Sequence, residues 1–242
     1  MNINKKDYTG TIKSIKKVAL DTFKIDILSE LDYAIAGQFI SILCPPKTLR
    51  RPFSIMDFDK ENKIVSIIFK VKGEGTSYLG NLKENDKVQF LAPLGNGFEL
   101  YNKKALLVGA GIGVAPMLFL KKELNKKSIE NYLVSGFKEK DEVVSGSDEN
   151  IIGGSVLDKI PELIKEKNIE IIYSCGPKIV LEKLCAIAKE FQLPCFIAME
   201  KVMACSIGVC RGCVIKVKKE NEIINKSVCQ DGPIFKGNEI IW

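Results

Sequence analysis

Over the first hundred residues the apolar positions fall in short runs with partial alternation. Ile12, Val18, Phe23, Ile25 and Ile27 sit in such runs, and Ile40-Ser41-Ile42-Leu43 and Ile64-Val65-Ser66-Ile67-Ile68-Phe69 continue them. Gly37, Pro45-Pro46, Gly73 and Gly75 punctuate the series. Short strands with frequent turn residues predict a small β-barrel over residues 1–100. From residue 101 the pattern changes. Ala105-Leu106-Leu107-Val108 is a continuous apolar run, followed by a glycine-rich turn and an apolar helix from about Met117 to Leu124. Tyr132-Leu133-Val134-Ser135-Gly136 and Ile169-Glu170-Ile171-Ile172-Tyr173 repeat the strand signal, and Lys178 to Phe191 has helical periodicity. Alternating strands and helices predict a parallel α/β domain over residues 101–200. Residues 201–242 form a cysteine-rich tail with one hairpin-like stretch, Cys213 to Val217, and Asn221 near its turn.

Composition narrows the picture. Of 242 residues, 46% are hydrophobic and 27% charged, as in a folded chain of two modest domains or one large one. The formal charge of +6 comes from scattered lysine pairs with acids nearby, and the arginines are Arg50, Arg51 and Arg211 alone. That pattern lacks the basic stripe of a nucleic-acid binder. The longest uncharged stretch, Ala105 to Leu120, is broken by Gly109, Gly111, Gly113 and Pro116. A membrane span needs about 20 mostly apolar residues, so this stretch reads as buried strand, loop and helix. Met1 to Tyr8 is polar and carries no secretory signal. There are eight cysteines and no histidine. Without histidine there is no Ser–His triad, His-ligated haem, Rieske cluster or His-containing zinc site. Four cysteines cluster near the C-terminal end, which favours metal ligation in a reducing, cytoplasmic setting over disulfides.

The clustered cysteines follow the spacing Cys205-x4-Cys210-x2-Cys213-x15-Cys229. Three ligands on one tight loop and a fourth further on is the plant-type [2Fe–2S] pattern. Ala204, Ser206, Gly208 and Gly212 are small enough to let such a loop curl. A four-cysteine structural zinc site is the competing reading. Zinc sites usually present paired C-x2-C arms, and here there is one. Cys44, Cys185 and Cys195 lie in apolar surroundings and read as packed thiols.

Four further segments have the residue types of nucleotide loops. Gly109 to Pro116, GAGIGVAP, follows a strand and precedes a helix, where glycines let a backbone approach a phosphate. It is not GxGxxG, and a plain tight turn also explains it. Ser174-Cys175-Gly176-Pro177 closes a later strand, at the end where open α/β sheets bind ligands; a turn and helix start is the alternative. Arg51-Pro52-Phe53-Ser54 combines a cation, a fixed kink and a hydroxyl, with Pro52 biasing Arg51 towards extended backbone. Gly73-Glu74-Gly75-Thr76 is a second possible phosphate loop. A surface turn accounts for either equally well.

Taken in order, RPFS, GEGT, GAGIGVAP and CGP resemble the motifs of the ferredoxin-reductase superfamily. With MEKVMACSIGVCRGC…VCQDGPIF added, the chain looks like the family of electron-transfer subunits of NAD-linked dihydroorotate dehydrogenase B, along essentially its whole length. The resemblance implies a FAD-binding barrel (1–100), an NAD-binding α/β domain (101–200) and a [2Fe–2S] subdomain (201–242). It implies FAD contacts from Arg51, Pro52, Phe53, Ser54, Ile68, Phe69, Lys70, Gly75 and Thr76. Gly109, Gly111 and Gly113, with Cys175, Gly176 and Pro177, would line the NAD site, and Cys205, Cys210, Cys213 and Cys229 would hold the cluster. Ser206 stands where the family motif has glycine. The implied activity is passage of electrons from an FMN-containing catalytic partner, through cluster and FAD, to NAD⁺ in pyrimidine biosynthesis. The implied assembly is a hetero-oligomer of two subunit types, such as a heterotetramer. No candidate base for dihydroorotate oxidation is present in the chain. The competing assignments are the related subunit of a sulfide dehydrogenase or an NADH–ferredoxin:NADP oxidoreductase, and a non-redox zinc-binding interaction module.

Overall fold

The computed structural model describes residues 6–220 and 222–242; Asn221 and the first residues of the polar N-terminus lie outside them. The first part is a closed barrel of β1 (Lys6–Ala19), β2 (Thr22–Leu28), β3 (Phe39–Ile42), β4 (Arg51–Asp59), β5 (Ile64–Lys70) and β6 (Lys87–Leu94), in the order β1-β2-β5-β4-β3-β6. Alternation drives the closure. Ile25 and Ile27 of β2, Ile40 and Ile42 of β3, Ile55 of β4, and Val65 and Ile67 of β5 are all buried in one core. Each such side chain contributes about 1.5–3 kcal/mol of transfer free energy. Glu74–Gly80 forms a short helix, α1, where the sequence suggested only a loop. Thr76 Oγ1 accepts from the amides of Lys72 and Gly73, which turns the chain into that helix.

The second part is a six-stranded sheet in the order β14-β11-β10-β7-β8-β9. Its strands are β7 (Ala105–Ala110), β8 (Asn131–Phe137), β9 (Glu149–Ile152), β10 (Ile171–Cys175), β11 (Cys195–Ala198) and β14 (Ile234–Lys236). Five of these run parallel, and β14 is antiparallel to β11. β7 and β10 are buried along their whole length, which is why they read as continuous apolar runs. Helices α2 (Val114–Lys126), α3 (Ile160–Glu166) and α4 (Lys178–Glu190) cover the sheet. α2 starts earlier than its apolar run suggested, because Pro116 sits in the first turn, where no amide partner is needed. Lys122 on α2 pairs with Asp57 on β4 at 2.5 Å, one of the ties between barrel and sheet.

The C-terminal part holds a three-stranded sheet of β12 (Val214–Lys219), β13 (Glu222–Ser227) and β15 (Ile240–Ile241), with α5 (Val228–Asp231) after the hairpin. It is continuous with the second part through β14. Among the described residues no helix is long and apolar enough to cross a membrane.

Candidate cofactor-binding site

The cysteine loop, residues 205–213, has no regular secondary structure and is shaped by left-handed residues: Ser206 (φ +61°), Gly208 (φ +90°) and Arg211 (φ +53°). These reversals turn backbone amides inward onto sulfur. Cys210 N–H donates to Cys205 Sγ (3.3 Å), Gly212 N–H to Cys210 Sγ (3.4 Å) and Cys229 N–H to Cys213 Sγ (3.4 Å). Cys213 and Cys229 lie 3.3 Å apart, sulfur to sulfur, and are buried, whereas Cys210 is exposed. Burial pushes the Cys205 thiol up, but amides of Cys210, Ile207 and Val209 and the Cys210 side chain outweigh it, bringing the thiol down to about 6. Burial, with Cys213 beside it, pushes Cys229 up to about 12. The four sulfurs thus form two pairs, one amide-rich and outward, one inward. Among the described residues no three Cys, Asp or Glu close round a single ion.

The loop rests on the barrel. Ser206 Oγ lies 2.9 Å from Ser41 Oγ of β3, both fully buried. Around the loop the surface is apolar: Val202 is 89% exposed, Val209 76% and Ile207 36%, while Met203 packs inward against the sheet core.

On the barrel, Ser41 pairs with Pro52 and Ile42 with Arg51. Arg51 Nη1 donates to the Leu49 carbonyl (2.8 Å), and its side chain lies so close to Gly75 that a Cβ there would sit 3.3 Å from Arg51 Nε. The structure therefore brings RPFS and GEGT together. Phe53, Ile68 and Phe69 are buried, with the Phe53 and Phe69 rings meeting edge to face at 5.6 Å, so what these positions offer a ligand is main chain. Pro52, Ser54 and Thr76 are partly exposed. Lys70 points elsewhere: its Nζ pairs with Glu142 of the second part at 2.5 Å.

The glycine turns after β7 and β10 are packed backbone on backbone. A Cβ on Gly113 would collide with the Cys175 carbonyl, and one on Gly176 would sit 2.7 Å from Ala110 Cβ. Gly109 is equally constrained, 2.8 Å from Val114 Cα. Gly111 is different, with φ +55° and open space where a side chain would be. That space is a cavity of about 470 Å³, lined by Gly111, Gly176 and Pro177 on one side and by Thr22, Lys70 and Lys72 of the barrel side on the other. Gly136, Glu142 and Glu200 are also in its wall.

Glu200, Lys72, Glu142 and Ser41 were not singled out from the sequence. Desolvation at the cavity wall raises the carboxyl of Glu200, an otherwise exposed residue, and the Lys72 charge offsets part of this. Cys175, fully buried behind the turn, is pushed well up by burial and by the Glu200 charge. A carboxylate directly after a buried strand, in Ala198-Met199-Glu200, was the available signal. Cys185 and Cys195 are free packed thiols, and they pack against each other, their sulfurs 4.0 Å apart across α4 and β11.

A solved structure of an NADH-dependent reduced ferredoxin–NADP oxidoreductase matches with TM-score 0.84 and 30% identity, over 96% of this chain and 90% of that one. Phthalate dioxygenase reductase shares the fold, with TM-score 0.64 at 16% identity over 91% and 76% of the two chains. Barrel, parallel sheet and cysteine segment define an oxidoreductase of the ferredoxin-reductase type. The family model for the iron–sulfur cluster binding domain of dihydroorotate dehydrogenase B matches residues 200–241. The chain is 40% identical over 218 residues to the electron transfer subunit of dihydroorotate dehydrogenase B (NAD(+)) from Caldanaerobacter subterraneus subsp. tengcongensis, covering 85% of this chain and 87% of the relative. It is 34% identical to that of Fusobacterium nucleatum, covering 95% and 96%. The chain belongs to the electron transfer subunits of dihydroorotate dehydrogenase B.

Proposed function

We propose that the chain carries electrons from an FMN-containing dihydroorotate dehydrogenase subunit to NAD⁺, with residues 1–100, 101–200 and 201–242 serving as flavin, nucleotide and cluster units. The observation that carries this reading is adjacency. The cysteine loop leans on β3, β3 pairs with the Arg51–Ser54 segment, and the cavity opens between the end of β5 and the two glycine turns.

The residues fit each group. Two sulfur pairs with inward amides suit two irons with two thiolates each, Cys205 and Cys210 on one, Cys213 and Cys229 on the other. Arg51, packed over Gly75 and tied to the Leu49 carbonyl, offers a cation to the FAD pyrophosphate. Gly111, Gly176 and Pro177 bound the cavity for NAD(H), where Gly111 leaves room and Lys72 supplies positive charge, while Gly113 holds the two turns together from behind. When bound, flavin and cluster supply two-electron and one-electron chemistry. The chain's residues orient them: Phe53 and Phe69 stiffen the barrel wall, and Glu200 can hold a proton on its carboxyl at the cavity edge. Val202, Ile207 and Val209 form the apolar face on which the catalytic partner docks, bringing its redox centre to the cluster.

Two measurements test the reading. Flavin released from the purified chain should chromatograph as FAD, and Arg51→Ala should weaken its retention by about 1–3 kcal/mol. The chain alone should reduce dyes with NADH, yet couple dihydroorotate to NAD⁺ only after the FMN subunit is added. Coupling without that subunit, or failure to associate with it, would discard this partner. The likeness to the ferredoxin–NADP oxidoreductase supports a second partner class, and co-purification decides between the two.

A further inference from the structure

Ser206 adopts a backbone conformation that serine disfavours. Its φ of +61° lies in the left-handed region, where a Cβ crowds the backbone and glycine is the usual occupant. Its side chain is nevertheless fully buried, and its hydroxyl meets the equally buried hydroxyl of Ser41 at 2.9 Å. The partners are 165 residues apart in sequence, one in the cysteine loop and one in the middle of a barrel strand. Two buried hydroxyls are tolerated because one donates to the other; losing either removes its partner's hydrogen bond across the pair.

Position makes this bond more than packing. Ser206 directly follows Cys205, and its left-handed turn sets the direction of the next amide. The Cys210 amide, further round the same turn, donates to Cys205 Sγ at 3.3 Å, and the amides of Ile207 and Val209 lie near enough to favour its thiolate. On the other side, Ser41 is held in register with Pro52 of β4. The Ser206 hydroxyl therefore pins the amide cradle of Cys205 to the barrel wall beside the Arg51–Ser54 segment.

We propose that the Ser41–Ser206 hydrogen bond is a positioning device that fixes the amides on Cys205 Sγ and thereby sets the reduction potential of the cluster. The inference rests on the cluster assignment above. Amides directed at ligand sulfur stabilise the more negative, reduced cluster, so loosening them lowers the potential. Both serines act through the Ile207 backbone and are positioning residues.

The test uses the complete chain with FAD and cluster in place. Ser41→Ala, Ser206→Gly and the double Ser41→Ala/Ser206→Gly are compared with the parent. Ser206→Gly relieves the backbone crowding, so it folds without the hydroxyl. All variants should keep full iron, sulfide and FAD. Each single variant should show a lower midpoint potential and an altered electron paramagnetic resonance signature of the reduced cluster. The double variant should shift no further than the larger single, because one interaction is lost only once. Parent-like potentials and spectra in the singles, or additive shifts in the double, would overturn the proposal. So would loss of iron in Ser206→Gly, which would make the pair an assembly element. A parent chain with no iron would instead sink the cluster assignment, and this inference with it.

Discussion

The cysteine loop and the paired glycine turns are both irregular segments rich in small residues, yet they are built on opposite principles. In the cysteine loop, side chains carry the ligands and the backbone serves them, aiming amides at sulfur. In the turns after β7 and β10, the backbone carries the candidate site, and at Gly109, Gly113 and Gly176 no side chain would fit. Substitution should therefore act differently in the two places. In the loop it removes chemistry; in the turns it removes space.

The sharpest way to break this contrast is Cys210→Ala. Cys210 is exposed and contributes little to packing, so the variant should fold and retain FAD while losing essentially all cluster iron and sulfide. Full iron content in that variant would remove Cys210 from the ligand set. Next in size is Gly113→Ala. Its methyl would meet the Cys175 main chain, which cannot move aside cheaply. A loss of about 1–3 kcal/mol in urea unfolding is expected, the scale for overpacking. Gly111→Ala sharpens the same point, since its surroundings are open and only its φ of +55° resists. It should cost about 1 kcal/mol of stability but raise the KM for NADH more than Gly113→Ala does. Equal effects of the two on stability and KM would mean that the turns do not divide support from binding as described.

The smallest effect concerns Glu200. Its carboxyl is held above the ordinary glutamate value by desolvation at the cavity wall, although the residue as a whole is exposed, with Lys72 offsetting part of the rise. Between the unfolded and folded values the folded state holds the extra proton. Stability therefore falls as pH rises across that interval and levels off above it. Glu200→Gln should flatten this fall, as read from urea midpoints on the acid side of neutrality. An unchanged profile would show that another group sets the slope.

Much of this was legible in the sequence because the signals are local. The four candidate cluster ligands are visible as three cysteines of one loop and a fourth further along the chain. The buried strands β7 and β10 announce themselves as apolar runs, and RPFS and GEGT name residues that prove to be neighbours. What stayed hidden lacks either length or locality. β11, β14 and β15 have four, three and two residues, too few to show a period. The Ser41–Ser206 contact spans 165 positions, and Lys70 meets Glu142 across 72. Cys185 and Cys195 come together only because α4 packs beside β11. Ser206, a mismatch to its motif on the page, proves to have a partner that the motif does not contain.

The antiparallel pairing of β14 with β11 has a topological consequence. β11 leads out to the cysteine loop and the C-terminal hairpin, and β14 brings the chain back to the adjacent position in the same sheet. The Met199 amide donates to the Pro233 carbonyl at 2.9 Å, closing the neck of this excursion. The cluster-bearing segment is thus an excursion from a sheet whose exit and return points already touch, and it packs Ile215, Val217 and Val228 back into the sheet's core. Replacing residues 200–232 with a short hairpin turn should leave β11 and β14 paired, because closing a neck that is already closed costs little chain entropy. The shortened chain should fold, bind FAD and oxidise NADH with dyes, with no route to a protein partner: a flavoprotein reductase obtained by excision.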